Sequence, residues 1–492
     1  LICVFFFFFT FEDMQRAMGR LNGLLLVAAA IAVGWSCQPL VFVDAGRNSM
    51  SGGGATGTGA LCLAMAAVYG TSWKKSQALR EAESKLPEVP STGKKPRIGA
   101  LDSLRFILIA YIASGHFIHT ATKNPFLLRM ITQINVVVGA FFVISGYVAA
   151  YTTTELGQRK GSKRLDNAVE FVITRIMGHW PLHIIVLLIF SPMFLYVDVS
   201  YSGWSTALWN GTISVFMLQA WFPTSGEVWN APTWFLSALS FALCALPYCL
   251  RVLATQKKEE LRRTLVILTL LSLVPKIAYS SDLHSWGIME GMLNAKTHPN
   301  YAVFNVLRFS PLGALLEVLM GAAACRLVML DHPQAPVKSG PSMAPLCAMV
   351  AVLGLRATGA VELNDMLTRS GIFIPLWIMF LMRIHRESAN DEGAVLPKLL
   401  CKKPLVFLGG ISFPIFIVHG PLGQLFYKKA VATAVWGQNM ASPQPVGIHW
   451  FFFVYWFTVL VSAQILQKYF VESQRVKDAS KTVVDTLMNM LT

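Results

Sequence analysis

The stretch at residues 101–116, LDSLRFILIAYIASGH, is apolar along most of its length but carries Arg105 and His116. An ionisable side chain within a membrane-length segment is costly and usually marks a functional site. The two residues are eleven positions apart. That spacing is about three turns of an α-helix, so both side chains leave the same face, about 16 Å apart along the axis. The stretch therefore predicts a membrane helix with a cation near one edge and a titratable imidazole deeper inside.

Hydrophobic segments of similar length recur along the chain. Of its 492 residues, 54% are hydrophobic and only 14% are charged, which argues against a soluble enzyme. Crossing a bilayer takes roughly 20 apolar residues, and the predicted spans are 104–121, 134–153, 177–198, 232–254, 264–280, 308–329, 342–357, 370–385, 404–427 and 447–469. We therefore predict an all-α fold, a polytopic membrane helix bundle of about ten transmembrane helices in a lipid bilayer.

The net charge of +15 is distributed by loop. Basic residues cluster at 159–175, 251–263, 383–403 and 468–481, whereas 199–230 contains no Lys or Arg. This alternation follows the positive-inside rule and predicts that both ends of the bundle are cytoplasmic. The basic surplus is thereby explained by topology, and we expect no nucleic-acid partner. A glycosylation sequon at Asn210 falls in the loop predicted to lie outside, which gives weak support to the same topology.

The chain divides into four predicted parts. Residues 1–50 resemble a leader or signal anchor, because Arg16 and Arg20 precede an apolar run. Residues 51–97 form a linker whose short apolar run either adds a weak span or extends the leader. Residues 98–475 form the membrane domain, and 476–492 form a cytoplasmic tail. The eight cysteines have no CxxC pairs or metal-ligand spacing, so we predict no metal and no disulfide framework.

Four further polar side chains lie in or beside predicted spans: Ser145, Arg175, Glu317 and His419. Ser145 would donate a hydrogen bond near His116, although helix packing also explains its small neighbours. Arg175 closes a basic loop, which either follows from topology or attracts an anionic donor. Glu317 needs a buried partner, such as Arg308 or a histidine. His419 has either a site role or a packing role.

These segments resemble the acyltransferase type 3 family of multi-span membrane proteins. The resemblance covers about 97–475. It rests on LDSLR to His116, FFVISGY (141–147), Arg175 to Pro181 and FLGGISFPIFIVHGPL (407–422), with a weaker match at KYFVE (468–472). It implies a ten-span bundle that moves an acyl group, often acetyl, from cytoplasmic acyl-coenzyme A to a hydroxyl, commonly of a sugar across the membrane. It also implies that Arg105 and His116 are the essential arginine and histidine. The family often has a second arginine where this chain has Gly178.

The resulting hypothesis is an integral membrane O-acyltransferase that uses acyl-CoA, with acetyl-CoA as the expected donor, and a hydroxylated acceptor such as a carbohydrate. His116 would act as a general base or as a transient acyl carrier. Arg105, with Arg175, would hold the donor phosphates. The alternative is a transporter or flippase that uses the same intramembrane charges without chemistry. A non-catalytic membrane scaffold is a third reading.

Overall fold

The structure is a computed structural model that describes residues 95–282, 286–331, 341–390 and 394–491. Within these ranges the chain forms α-helices joined by short 3-10 and π turns, and no β-strand is present. The predicted all-α class is therefore confirmed. The predicted leader at 1–50 and nearly all of the linker at 51–97 lie outside the described residues.

The described residues contain nineteen α-helices, which are numbered in chain order. They are α1 Gly99–Phe117, α2 Pro125–Ile131, α3 Ile134–Val137, α4 Gly139–Thr153, α5 Ala168–Met177, α6 Trp180–Val215, α7 Trp234–Thr255, α8 Lys258–Asp282, α9 Tyr301–Phe309, α10 Pro311–Met329, α11 Met343–Thr358, α12 Asp365–Leu367, α13 Ile374–Asn390, α14 Val395–Leu400, α15 Lys403–Gly410, α16 Ser412–Tyr427, α17 Lys429–Trp436, α18 Phe451–Leu466 and α19 Gln474–Leu491.

The helices form a polytopic membrane bundle. Among the described residues, seven helical stretches are long and apolar enough to cross a membrane, or nine if two bent pairs each count as one span. The bent pairs are α2–α3 with α4, and α15 with α16. The shorter apolar helix α11 occupies the predicted span at 342–357. Each predicted span thus falls on a helical segment. The predicted number of about ten spans is approximate, since seven to nine helical stretches are long and apolar enough to cross a membrane in the described residues.

The centre of the bundle is the crossing of α4 and α10. A methyl group added at Gly146 would overlap the carbonyl oxygen of Val318, and one added at Gly321 would overlap that of Val143. Small residues at a membrane helix crossing let the two backbones approach closely. Nearly all of α10 is buried as a result. The expectation that the FFVISGY stretch packs closely through its small residues is confirmed at Gly146.

Several basic loops meet at one end of the bundle, named here the basic end. Nε of Arg251 donates to the carbonyl of Leu165 at 2.9 Å. Asp331 bridges two further loops, since it pairs with Lys258 at 2.5 Å and with Arg386 at 2.8 Å. The loops that the charge pattern assigned to one side of the membrane are therefore in contact with one another.

The segment at 199–230 differs from the predicted loop. Helix α6 extends to Val215, interrupted at Gly203, where φ is +81° and ψ is 171°. A positive φ is readily adopted only by glycine, so the chain turns there and then resumes a helix. Asn210 lies in this second part. It is 7% exposed, and its Nδ2 donates to Oδ2 of Asp198 at 2.9 Å. The sequon is therefore a buried helical site in the folded chain and gives no support to the topology.

Candidate active site

His116 lies in the last turn of α1, where the helix is pressed against its neighbours. A methyl group on the preceding residue, Gly115, would overlap the carbonyl of Ile131 and the side chain of Ile134. Helix α1 ends directly afterwards, and a 3-10 turn at Ile118–Thr120 follows. The imidazole is thus fixed at the junction between α1 and the short helices α2 and α3.

A second histidine lies against it. Nδ1 of His116 is 3.2 Å from Nε2 of His419, and the two rings stack with centroids 5.3 Å apart. His419 is fully buried in α16. The structure thus brings together two intramembrane histidines that the sequence offered only as separate candidates.

The surroundings of His419 assign the tautomers of both rings. Its Nδ1 is 2.8 Å from the carbonyl oxygen of Phe416 and 3.2 Å from that of Ile415. A carbonyl only accepts, so Nδ1 carries a proton and the neutral ring has its lone pair on Nε2. Nε2 therefore accepts from Nδ1–H of His116. We assign the remaining lone pair to Nε2 of His116, which makes that atom the available base.

A first cavity of about 440 Å³ connects His116 with Arg105. At its mouth Asp102 accepts from Arg97 at 2.8 Å and from Arg105 at 3.1 Å. One carboxylate thus neutralises one of two guanidinium charges and leaves a net positive entrance. The interior is mainly aromatic and apolar, with lining side chains that include Phe141, Phe235, Phe413 and Phe416. A cationic mouth above an apolar channel suits an anionic molecule with an extended, less polar arm.

A second cavity of about 440 Å³ lies beyond His116, towards the C-terminal end of α1. Its lining differs from that of the first cavity, since it combines the polar side chains of His119, Asp198, Glu227, Gln424 and Lys428 with the indole of Trp229. The two cavities share two lining residues, His116 and Pro232. One imidazole is therefore accessible from two separate chambers of different chemical character.

The sequence pattern of a family described as acyltransferase domain matches residues 98–466. This chain belongs to the acyltransferase type 3 family. It is also similar to acyltransferase MdmB of Streptomyces mycarofaciens, with 25% identity over 150 residues, which cover 29% of this chain and 36% of that protein. The aligned part is thus well under half of either chain. No solved structure matches.

Arg175 lines neither cavity. Its Nη2 donates to Oγ1 of Thr152 at 3.0 Å, and its guanidinium lies over the ring of Phe171. It is still close enough to Arg105 for the two charges to interact. Arg175 therefore adds positive potential near the mouth of the first cavity, and its role in donor binding stays a prediction.

Ser145 lines the first cavity but is not bonded to His116. Its hydroxyl donates to the carbonyl of Phe141 at 2.7 Å, one turn earlier in α4. Such a bond within the helix satisfies the hydroxyl without any ligand. Its predicted support of the site stays a prediction, and the geometry favours packing.

Glu317 is part of a buried ion cluster and lines neither cavity. It pairs with Arg369 at 2.5 Å and lies 3.7 Å from Nζ of Lys276. The predicted pairing with Arg308 or a histidine is wrong, because Arg308 precedes the break between α9 and α10 and pairs instead with Glu227 at 2.5 Å. Glu317 thus holds α10 against the segment before α13.

Sequence reasoning did not identify Asn230 or Glu227 as residues of the site. It also did not predict that Arg308 lines the first cavity. Nδ2 of Asn230 donates to the carbonyl of Ile417 at 2.8 Å, which ties the loop before α7 to α16 near His419. A methyl group at Gly420 would come within 2.8 Å of Oδ1 of Asn230. The run Asn230-Ala231-Pro232 in a segment without Lys or Arg was the available signal.

Proposed function

We propose that this acyltransferase moves an acyl group, acetyl in the simplest case, from acyl-coenzyme A to a hydroxyl of a carbohydrate. The observation that carries the proposal is the position of His116 in the wall of both cavities. A transferase with two substrates needs both reacting atoms beside one base. A transporter would instead need a path for its cargo. The family of this chain and the similar protein from Streptomyces mycarofaciens are both described as acyltransferases, which also favours transfer over transport.

The first cavity fits the donor. Its mouth presents Arg97 and Arg105, whose forked N–H donors match phosphate oxygens. The distance along α1 from Arg105 to His116 is about 16 Å. A pantetheine arm has the chain length of about four residues of extended peptide, or ~14 Å at ~3.3–3.6 Å per residue. Phosphates at the mouth would therefore bring the thioester close to His116. In this proposal the basic end faces the cytoplasm, where acyl-CoA is present.

The second cavity fits the acceptor. Side chains that donate and accept hydrogen bonds surround one flat aromatic surface, Trp229, and this combination suits a molecule with many hydroxyls on an apolar ring face. Nε1 of Trp229 donates to Asp198 at 2.9 Å, which fixes the indole in place. Burial lowers the pKa of Lys428, while Asp198 acts in the opposite direction. Asp198 and Lys428 carry opposite charges within this lining.

The chemistry follows from the tautomer of His116. An acceptor hydroxyl would lose its proton to Nε2 of His116 as its oxygen attacks the thioester carbonyl. His419 would hold the opposite nitrogen as a donor throughout. If His116 instead accepts the acyl group first, enzyme mixed with acetyl-CoA alone releases one equivalent of free thiol before any acceptor is added. Direct attack predicts no such burst.

The test uses the full chain purified in detergent, with labelled acetyl-CoA and a panel of carbohydrates. We expect labelled acceptor with the wild type and a decrease of about 10²–10⁴-fold for His116→Ala. His449→Ala is the matched control, since His449 lines neither cavity. Equal transfer by wild type and His116→Ala would refute the proposal. So would a wild type that transfers nothing to any hydroxylated acceptor.

A further inference from the structure

Arg308 is a charged residue of the first cavity to which the mechanism above gives no role. It occupies the last turn of α9, just before Ser310 begins α10. Its side chain is only 9% exposed, yet it lines the same cavity as His116. The two side chains are close enough for their charges to interact. A buried cation beside the reacting base therefore needs an explanation.

The guanidinium is held in a defined orientation. It lies over the ring of Phe309 at 4.8 Å and near the rings of Phe304 and Trp234 at 5.7 and 6.0 Å. Nη2 donates to Oε1 of Glu227 at 2.5 Å. Stacking on aromatic faces together with one charged hydrogen bond fixes the plane of the guanidinium group of Arg308. Arg308 is thus oriented before any substrate arrives.

Most of the five N–H donors of Arg308 are not used by this one bond. Nε of Arg308 is buried and has no hydrogen-bond partner among the residues that the structure describes. A buried donor without an acceptor is costly, and native proteins rarely keep one without a reason. Nε itself is enclosed by protein, so a substrate oxygen in the cavity would meet the accessible part of the Arg308 side chain.

We propose that Arg308 stabilises the oxyanion that forms on the acyl carbonyl during transfer, and that Glu227 positions it. This inference rests on the proposed function. A thioester carbonyl beside Nε2 of His116 would lie within the cavity that Arg308 lines. Donors aimed at the developing charge, in a site that excludes water, are often the largest single contribution to acyl-transfer catalysis.

The step balances as follows. The acceptor oxygen bonds to the carbonyl carbon while its proton passes to Nε2 of His116, and the carbonyl π electrons move onto the oxygen facing Arg308. The carbonyl then reforms and the carbon–sulfur bond breaks. The thiolate leaves with that electron pair and takes the proton from His116, which gives free coenzyme A and the acyl ester.

Glu227 connects this group to the acceptor side. Its carboxylate is 37% exposed and lines the second cavity, whereas its partner Arg308 lines the first. The ion pair between Glu227 and Arg308 therefore connects the walls of the two cavities, both of which His116 also lines. Glu227→Gln keeps an oxygen that can accept from Nη2, so it should preserve the orientation of Arg308 better than Glu227→Ala does.

The test compares Arg308→Gln with wild type in steady-state acetyl transfer. We expect kcat to fall about 10²–10³-fold, as for loss of an oxyanion donor, while coenzyme A binds with unchanged affinity. Arg105→Gln should show the opposite pattern, with weaker coenzyme A binding. Arg262→Gln is the arginine control, because Arg262 forms an exposed pair with Glu259 at the surface.

A wild-type kcat for Arg308→Gln, in an enzyme that still requires His116, would overturn the inference and leave the proposed function intact. Weaker coenzyme A binding equal to the loss of kcat/KM would also overturn it, since Arg308 would then bind the donor. Thermal unfolding in detergent checks folding. If Arg308→Gln does not fold, Arg308→Lys replaces it, with an expected loss of at least about tenfold because an ammonium lacks the planar fork; an unchanged kcat would refute the role.

Discussion

Nδ1 of His116 donates to Nε2 of His419 over 3.2 Å, although the two residues are 303 positions apart in the chain. The carbonyl of Phe416 fixes the other nitrogen of His419 as a donor. A chain of two imidazoles and one backbone carbonyl thereby directs the lone pair of His116 towards the cavities. His419 is fully buried. The orientation of the two imidazoles is therefore set by the fold and not by the substrate.

His419→Phe should lower kcat by about 10–100-fold, a loss of the size seen when a histidine that binds a metal loses the group that orients it. The phenyl ring cannot accept from Nδ1–H of His116, so the imidazole loses its preferred tautomer. His419→Gln keeps an acceptor oxygen and should retain more activity. The measurement is steady-state acetyl transfer across pH. Equal activity of the Phe and Gln variants would show that His419 only fills space.

Asp102→Asn should tighten coenzyme A binding and make it more sensitive to salt. The substitution removes the carboxylate that pairs with Arg97 and Arg105, so two uncompensated cations remain at the mouth of the first cavity. Attraction between exposed charges is screened by salt, with a screening length of about 10 Å at 0.1 M. Calorimetric titration with coenzyme A at several ionic strengths tests this. Binding that is weaker than in the wild type at every salt concentration would contradict a donor mouth at this place.

Gly146→Val should destabilise the bundle by about 1–3 kcal/mol, the usual cost of overpacking. Any Cβ at this position meets the backbone of α10 at Val318, and a backbone cannot move aside as a flexible side chain can. Gly354→Ala is the matched control: a Cβ there has no neighbour within 4 Å, so the helix-favouring change should be neutral or slightly stabilising. Thermal unfolding in detergent distinguishes the two. Equal melting temperatures would mean that α4 and α10 are farther apart than the structure shows.

The loop that contains Glu290 should make stability depend on pH. Burial, and after it the neighbouring carboxylate of Asp365, raises the pKa of Glu290 from 4.5 to about 8. A carboxyl whose pKa is raised by folding stabilises the fold when it is protonated. The contribution is therefore complete below pH 4.5 and is lost as the pH rises through about 8. Thermal unfolding between pH 5 and 9 should show this fall, and Glu290→Gln should flatten it. A profile that is the same for wild type and Glu290→Gln would exclude Glu290 as its source.

The sequence predicts those parts of the molecule that depend on local pattern. Helical periodicity placed Arg105 and His116 on one face of α1, and they line one cavity. Each span predicted from hydropathy falls on a helical segment, although the described residues contain seven to nine candidate membrane helices and not ten. Hydropathy did not detect the second helical part of α6, because a single glycine with positive φ interrupts the helix at Gly203 and the chain then resumes a helix.

Long-range contacts account for what could not be predicted. Arg308 meets Glu227 across 81 positions, and Asn230 meets Ile417 across 187. No periodicity links such pairs, since they come from the ends of helices and from loops that only the completed bundle brings together. Glu317 shows the same limit: its need for a cationic partner was evident, but the identity of Arg369 depended on how the π-helical segment before α13 packs.

Pro232 and His116 form the wall between the two cavities, and this has a consequence for the membrane as a barrier. Under the proposed function, neither coenzyme A nor the sugar has to leave its own side of the membrane. Only a two-carbon fragment would change sides, passed from one carrier to the other at a single imidazole. Such an enzyme would modify molecules on one side of its membrane with activated groups made on the other, while solutes and ions stay where they are.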